Sequence, residues 1–223
     1  MAVSPVPSTR RLIVNADDFG RSRSINEAVI RAHQEGILTT ASLMVNGPAA
    51  AEAVALAKAN PKLGVGLHLA LSESPVAAGF AYFFKRSLQP VLRAEIRAQL
   101  QKFLATELQL DHVNSHHHLH MHPSVLPMLM ESLRELQITR LRLTWEPLWI
   151  NVRNVAGRRF RNWHHAIIYT VLSSRARRAF RKQRMRHPRF VFGLMQNYLV
   201  DEAYLERLLP ALPAGDSELY SHP

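Results

Sequence analysis

Residues 11–47 read RLIVNADDFGRSRSINEAVIRAHQEGILTTASLMVNG, and this stretch decides the fold. An apolar run at each end encloses an amphipathic segment, a pattern that predicts strand, helix, strand. Ser24 and Glu27 have the spacing of a capping box at the start of that helix. Asp17 and Asp18 come directly after the first apolar run. In parallel β/α folds the chemistry gathers where strands end, so these two carboxylates are candidate site residues.

The pattern continues on the C-terminal side of this stretch. Helices are predicted in PAAAEAVALAKANP (48–61) and LRAEIRAQLQKFLATEL (92–108), and strands in LGVGLHLAL (63–71) and RLRLTW (140–145). A further strand is predicted to run into the histidines that begin at His112, and a helix follows Pro123. Repeated β-α units predict an α/β protein with a parallel sheet, open or closed into a barrel.

Composition excludes several classes of protein. With 223 residues, 47% of them hydrophobic and 20% charged, the chain is long enough for one large folded domain. It has no cysteine, so a metal would have to be held by His, Asp or Glu, and a reducing cytoplasm fits. The opening MAVSPVPSTRR has no apolar core typical of a signal peptide, and no run of about 18 apolar residues follows. We therefore predict a cytoplasmic protein that does not span a membrane.

The positive charge is concentrated in one segment. Residues 147–200 hold twelve Lys/Arg and no Asp or Glu, which leaves 16 basic and 17 acidic residues elsewhere. Aromatic and aliphatic residues such as Trp163 and Ile168 stand among these arginines. That mixture favours contact with an anionic membrane surface, although a solvated basic helix is an alternative. Nucleic acid is the third candidate partner, and no nucleic-acid-binding motif supports it.

Six of the twelve histidines lie within HVNSHHHLHMHP (112–123). If the strand continues through them, Asn114, His116, His118 and His120 share one face and cannot all bind one ion together with the others. Packing or surface roles remain the alternative for such a cluster. Likewise, Asp-Asp after a strand is often only a turn, and a lone histidine such as His68 is often a satisfied core residue. Together, however, these strand ends supply two imidazoles and a carboxylate for a divalent ion and leave a second carboxylate as a base.

Four segments resemble the successive signatures of the YdjC-like carbohydrate deacetylases: IVNADDFG, SLMVNG, GVGLHL and HVNSHHHLHMHP, in matching order and spacing. The stretches FFKRSLQPVLRAEIRAQLQKF, FVFGLMQNYLVDEAYLERLLPALPAG and ELYSHP resemble the branch of that family associated with hopanoid biosynthesis. The resemblance runs from about Arg11 to Pro223.

The resemblance implies a distorted TIM-like (β/α) barrel in a single domain over residues 11–223. Residues 1–10 would be a disordered tail, and residues 147–189 a basic helical insertion within the domain. The family usually continues past the terminal His222-Pro223, which is compatible with a chain truncated at its C-terminus.

The resemblance also implies roles for individual residues. Asp18, His68 and His116 would bind one divalent metal ion, Mg²⁺ or Zn²⁺. Asp17 would be the general base, and His222 would be a late catalytic histidine. The substrate-binding candidates are Asn114, His118 and His120. Many relatives carry Asp at the position of Asn114, whereas asparagine is usual in the hopanoid branch.

The implied activity is a metal-dependent hydrolase that removes acetate from an N-acetylated sugar, with the N-acetylglucosaminyl headgroup of a hopanoid lipid as the expected substrate. Residues 151–189 would then meet the inner membrane surface peripherally. Two alternatives stay open. The same residues suit a phosphoesterase or another amidohydrolase, and the histidine cluster with the basic segment suits a non-catalytic metal- or lipid-binding protein.

Overall fold

The computed structural model describes residues 9–71, 81–147, 149–150, 163–196 and 200–223, and the backbone alone for 163–166. Within these ranges six strands form one curled, all-parallel sheet. They are β1 (Arg10–Phe19), β2 (Thr40–Leu43), β3 (Gly64–Leu69), β4 (Leu110–Ser115), β5 (Phe190–Phe192) and β6 (Gly215–Ser221). Their order in the sheet is β4-β3-β2-β1-β6-β5. The α/β class and the parallel sheet predicted from the sequence are confirmed.

Helices connect the strands, as parallel crossovers require. They are α1 (Arg23–Gln34), α2 (Ala50–Ala59), α3 (Gln89–Leu104), α4 (Val125–Glu135), α5 (Trp163–Lys182) and α6 (Glu202–Ala211). The capping box predicted at α1 is wrong by two residues. Ser22 is the N-cap and accepts the Ile25 N–H, while Glu27 pairs with Arg23 at 3.0 Å.

The main apolar core lies between the sheet and helices α1–α4. Val29 of α1, Ile96 of α3 and Leu129 of α4 are fully buried there beside Leu67 of β3. A second cluster joins α6 to β5 and β6 through Leu208, Phe192 and Leu219, among others. Because the strands are parallel, their carboxyl ends lie at one edge of the sheet. The two helix–sheet packings hold the strands in that arrangement.

The segment 139–145 links the two edges of the curled sheet. Arg142 N–H donates to Val113 O of β4 at 3.0 Å, and Leu141 N–H donates to Arg186 O at 3.2 Å. Val191 N–H of β5 in turn donates to Trp145 O at 2.9 Å. The predicted strand RLRLTW is therefore present as isolated bridges and not as a regular strand.

Two predicted segments fall partly outside the described residues. β1 begins at Arg10, inside the predicted tail, and residues 1–8 are not described. Helix α5 occupies much of the predicted basic segment 147–189, of which residues 148 and 151–162 are not described. Among the helices in the described ranges, none is both long and apolar enough to cross a bilayer.

Candidate metal centre

Three strands deliver polar side chains to one edge of the sheet. β1 carries Asp17 and Asp18 just before its last residue, β3 carries His68 near its end, and His116 follows β4 directly. Each of these four residues is at most 2% exposed. Buried ionisable groups are rare unless they are paired or hold a metal, so their convergence marks the candidate site.

A backbone irregularity lets two adjacent aspartates face the same cleft. Successive residues of a regular strand point to opposite faces of the sheet. Here the β1–β2 register shifts between Ala16 and Phe19, and Asp18 has φ 66°, in the left-handed region. Aspartate tolerates that conformation better than most residues, at a cost of about 1 kcal/mol. As a result, both carboxylates reach the same ring: His68 Nε2 lies 3.3 Å from Asp18 Oδ1, and His68 Nδ1 lies 3.7 Å from Asp17 Oδ1.

Asp18, His68 and His116 form a three-ligand cluster. One ligand atom from each lies within 4.8 Å of the others, and His116 Nδ1 is 3.1 Å from Asp18 Oδ1. Asp18 Oδ1 and His68 Nε2 are buried and have no hydrogen-bond partner among the described residues. Leaving such atoms unsatisfied costs about 1–3 kcal/mol each, which a bound cation would recover.

Charge supports the same interpretation. The buried carboxylates of Asp17 and Glu218 pair with the buried cation Arg142, and Arg21 reaches Asp18 Oδ2 at 2.8 Å from a side chain that is 44% exposed. Burial raises the pKa of Asp18, but the rings of His116 and His68 outweigh it and hold that pKa below its usual value. An ionised carboxylate with two imidazoles suits Zn²⁺ or a similar ion, so these residues fit a divalent metal.

Asp17 is held by four hydrogen bonds. Arg142 donates Nη1–H to Oδ2 at 2.8 Å and Nη2–H to Oδ1 at 3.0 Å. Asn15 and Asn114 donate amide N–H groups to Oδ1 at 2.8 and 2.9 Å. Burial alone raises the pKa of Asp17, but the charges of Arg142 and His68 hold it well below the usual range. Asp17 is therefore an ionised carboxylate, and Oδ2 is the oxygen with only one of these donors.

Arg142 and Glu218 are site residues that the sequence did not reveal. The guanidinium is buried, donates Nε–H and Nη2–H to Glu218 Oε1 at 2.9 and 2.5 Å, and lies 4.8 Å from the ring centroid of Tyr220. Burial lowers the pKa of Arg142, but the negative charges of Asp17 and Glu218 outweigh burial and hold that pKa above its usual value. The guanidinium therefore stays positively charged. The only available signal was an arginine in the otherwise apolar run LRLTW.

Asn114 sets the orientation of His68. Its Oδ1 lies 2.7 Å from His68 Nδ1, and its Nδ2 donates to Asp17, so the oxygen is the acceptor for a His68 Nδ1–H. That tautomer leaves the Nε2 lone pair directed at Asp18. A second residue that orients a metal-binding imidazole in this way is a general feature of metal sites.

The predicted alternation through the histidine run is wrong. β4 ends at Ser115, and residues His116–Met121 form a 3₁₀ helix in which His117 and His118 both have φ 54°. This conformation costs of the order of 1–3 kcal/mol per residue outside glycine, and it turns the chain across the strand ends.

His118 and His120 consequently lie in different surroundings. His118 Nε2 is 3.0 Å from the Tyr220 hydroxyl, while its Nδ1 is buried with no hydrogen-bond partner among the described residues. His120 is fully buried, with Nδ1 2.7 Å from Ser115 Oγ and Nε2 3.0 Å from Arg142 O. Burial and the charge of Arg142 lower the pKa of His120 to about 3. Neither histidine is protonated readily, because burial also lowers the pKa of His118.

The last described strand brings His222 beside the aspartates. β6 pairs with β1 in parallel, with Ser221 opposite Ala16. The residues SELY (217–220) thus lie within a regular strand. The ring of His222 packs edge-on against Tyr220, with the ring centroids 5.7 Å apart. Burial lowers the pKa of His222, and the charges of Asp17 and Asp18 act in the opposite direction, which places the imidazole within electrostatic reach of both.

The chain is similar in sequence to known carbohydrate deacetylases. The chain is 42% identical over 149 residues to the carbohydrate deacetylase of Brevibacillus brevis and 40% identical over 152 residues to that of Geobacillus stearothermophilus. The matches cover 60% and 62% of this chain, and the chain spans 60% of the length of each of these relatives.

Solved structures share the fold. A protein of Enterococcus faecalis V583 named for cellobiose-phosphate cleavage superposes with a TM-score of 0.67 at 23% identity, covering 97% of this chain and 82% of its own. The lactam utilization protein of Thermus thermophilus superposes with a TM-score of 0.54 at 17% identity, covering 96% and 90%. The YdjC-like protein family matches residues 11–223, which contain every residue of the candidate metal centre, and the chain belongs to that family.

Proposed function

We propose that this chain is a metal-dependent N-deacetylase that removes acetate from an N-acetylated sugar. One observation carries the proposal: ligand atoms of Asp18, His68 and His116 converge within 4.8 Å beside a second, buried and ionised carboxylate, Asp17. The deacetylase names of the relatives support the same reaction class. Asp18, His68 and His116 would hold the ion.

The chemistry explains why these residue types are needed, because an amide is a poor electrophile and neutral water is a poor nucleophile. A divalent ion at this site supplies Lewis acidity that polarises a carbonyl and lowers the pKa of water. Asp17 then accepts the proton of the attacking water, at Oδ2, which has one hydrogen-bond donor where Oδ1 has three. Arg142 keeps that carboxylate in place and compensates its charge in the buried site.

The departing sugar nitrogen needs a proton, and His222 is the proposed donor. Its imidazole is half-buried at the same edge of the sheet and interacts with the charges of Asp17 and Asp18. His118 is the fallback by position, because its Nδ1 has no hydrogen-bond partner among the described residues, but its lowered pKa makes it the weaker donor. The substrate-binding role proposed for His118 rests on the same atom.

The contacts favour positioning roles for two residues that the resemblance associates with substrate. His120 uses both ring nitrogens on Ser115 and Arg142, and Asn114 uses its whole amide on His68, Asp17 and Ser42. We propose that Asn114 and His120 hold the ligands and the backbone around them in place and leave substrate contacts to other groups.

The finer proposal for the substrate is the N-acetylglucosaminyl headgroup of a hopanoid lipid. Helix α5 packs on the histidine segment, with Tyr169 Oη donating to His117 O at 3.1 Å. Beside that contact α5 exposes Ile167, Ile168 and Val171, which are 43–49% exposed. Exposed arginines follow on the same helix, so an apolar and basic surface borders the cleft, as peripheral contact with an anionic membrane requires.

The fold proposal is a distorted (β/α) barrel. The bridges that segment 139–145 makes to β4 on one side and to residues 186 and 191 on the other support a ring of strands that is closed by isolated hydrogen bonds. A metal centre at the carboxyl ends of the strands is where such barrels carry their active sites.

The test is acetate release. Metal-loaded protein is incubated with N-acetylglucosaminyl glycolipid and, separately, with free N-acetylglucosamine, and acetate and free amine are quantified. Release of both in equal amounts from the glycolipid supports the proposal. No release from either substrate by fully metallated protein would refute it and favour another hydrolase activity or a binding role.

A further inference from the structure

A row of hydrogen bonds leads from the metal centre toward the amino-terminal ends of the strands. His112 Nε2 lies 2.9 Å from Ser42 Oγ, and His112 Nδ1 lies 3.2 Å from Asp111 Oδ2. The His112 side chain is 15% exposed, and Ser42 is fully buried. Asp111 and His112 line a cavity of about 460 Å³ at the sheet edge opposite the metal centre. None of these three residues belongs to the metal cluster.

The direction of each hydrogen bond follows from its chemistry. The Asp111 carboxylate can only accept, so in a neutral His112 ring Nδ1 is the donor and Nε2 is the acceptor. Ser42 Oγ accepts amide N–H groups from Asn114 at 2.8 Å and Asn15 at 3.0 Å. The Ser42 hydrogen therefore points to His112 Nε2. The other acceptor within reach, Asn15 Oδ1, is 3.4 Å away and already accepts the Thr40 hydroxyl at 2.8 Å.

The same three residue types form the nucleophilic triads of serine hydrolases, but this arrangement does not suit nucleophilic catalysis. Ser42 is 0% exposed, and its oxygen accepts two amide donors that would have to leave before a substrate could approach. A nucleophile has to reach the carbonyl carbon of its substrate. This row of hydrogen bonds therefore fixes the orientation of the side chains that it joins.

We propose that His112 is a positioning residue that fixes the amide orientation of Asn114, and through it the tautomer of His68, by accepting the Ser42 hydroxyl hydrogen. Asn114 can direct its oxygen to His68 Nδ1 only while its nitrogen has acceptors on the other side, and those are Asp17 and Ser42. The proposal deepens the proposed function, because it concerns how the metal-binding nitrogen of His68 is kept unprotonated.

Gly66 makes this arrangement sterically possible. A Cβ built on Gly66 would lie 2.5 Å from both Cε1 and Nε2 of the His112 ring. Real Cβ atoms do not approach other atoms so closely, so the ring lies directly against the β3 backbone. Any larger residue at this position would push the ring away from Ser42. The GVG sequence of β3 is thereby connected to the metal centre.

Loss of the His112 acceptor has a defined consequence. The Ser42 hydroxyl would turn toward the other acceptor in reach, Asn15 Oδ1, and weaken its contact with Asn114 Nδ2, so that Asp17 alone would hold the amide. A flipped Asn114, which presents an N–H to His68 Nδ1, would then become more populated. His68 would then carry its proton on Nε2, where it blocks the ligand atom. Substitutions behind metal ligands typically cost about 10- to 100-fold in metal affinity, and we expect a loss at the lower end of that range.

The experiment compares His112→Phe, which keeps a ring without an acceptor, with His112→Gln, which restores one. His187→Phe is the matched control, because His187 lines the same cavity and bonds to Pro188 O instead of Ser42. Co²⁺ affinity and the visible Co²⁺ spectrum are measured without substrate. We expect about tenfold weaker binding and an altered spectrum for His112→Phe, and near wild-type values for the other two. A wild-type affinity and spectrum in His112→Phe would overturn the proposal.

Nitrogen NMR of the metal-free wild type gives a test that requires no variant to fold. We expect a neutral His112 protonated at Nδ1 and a His68 protonated at Nδ1. A His112 protonated at Nε2 would overturn the proposal. Both readouts are independent of turnover, so wild-type protein that binds Co²⁺ in this way yet releases no acetate would refute the proposed function and leave the role of His112 standing.

Discussion

Arg142 donates a hydrogen bond to each oxygen of the Asp17 carboxylate, with Nη1 2.8 Å from Oδ2 and Nη2 3.0 Å from Oδ1. Both side chains are at most 2% exposed, so the pair is shielded from water. Arg142→Lys keeps the charge and loses the planar fork. We expect the free energy of unfolding to fall by about 3 kcal/mol, because hydrogen bonds between charged groups are lost in a buried site.

Urea unfolding of the metal-free protein measures this effect. The matched control is Arg97→Lys, whose pairing with Glu135 is 45–48% exposed and should change stability by less than about 1 kcal/mol. Equal small losses in both variants would show that the Asp17–Arg142 pair does not stabilise the fold.

The imidazoles should be required for metal binding. His68→Ala and His116→Ala each leave two of the three cluster ligands, too few to fix the geometry of the ion. We expect stoichiometric metal in the wild type and little in either variant by elemental analysis. His33→Ala is the control, since His33 bonds to Leu38 O away from the cluster. Full occupancy in both variants would remove the two histidines from the ligand set.

Substitutions of the adjacent residues Asp17 and Asp18 should have different effects on metal binding and on the reaction rate. Asp18→Asn loses a ligand charge, and we expect it to lose the metal. Asp17→Asn should keep the metal and lose at least about 10²-fold in the rate of acetate release, the scale of general-base catalysis. Metal content and rate are measured on the same samples. If both variants lost metal to the same extent, the two carboxylates would share one role.

His222 is expected to act in turnover and not in metal binding. His222→Gln removes the titratable proton, and we expect metal content to stay at the wild-type level while the rate falls by about 10²-fold or more. A pH–rate profile of the wild type should lose activity at high pH as the donor deprotonates, and that limb should be absent in His222→Gln. An unchanged rate in the variant would show that another group, such as His118, donates the proton.

The basic surface of α5 should govern membrane binding. Arg175, Arg178 and Arg181 are exposed, and each should contribute about 1 kcal/mol near an anionic surface. Replacing all three with Glu should abolish sedimentation with phosphatidylglycerol vesicles. The charge-matched control replaces Arg31, Lys58 and Lys62, which are exposed on other elements. Equal losses in both triple variants would mean that net charge alone drives the contact.

The β/α framework could be predicted because its signals are local. Apolar runs and amphipathic stretches placed β1, α2 and β3 within a few residues of their observed bounds. The start of α1 was misplaced because Ser22 and Ser24 are both good N-caps, and only the Ser22 hydroxyl accepts the helical Ile25 N–H.

The convergence of Asp18, His68 and His116 was predictable because each lies at the end of a strand and matches a family signature. The site was not predictable where tertiary pairing decides. Nothing local indicates that Arg142 is buried, since its carboxylate partners lie 76 and 125 residues away in the chain. The left-handed backbone at His117 and His118 was likewise not predictable, because neither residue is a glycine. The alternating strand pattern was therefore extended beyond Ser115, where β4 ends.

The pairing of β1 with β6 has a consequence for biosynthesis. The two strands are about 200 residues apart, yet they lie side by side over seven residue pairs. During translation β1 therefore emerges long before its neighbour exists, and one of its edges stays open to other strands until β6 leaves the ribosome. Such distant pairing forms late and slowly. Asp17 and Asp18 are made about 200 residues before Glu218 and His222, so the surroundings of the two aspartates are completed only when β6 has been made.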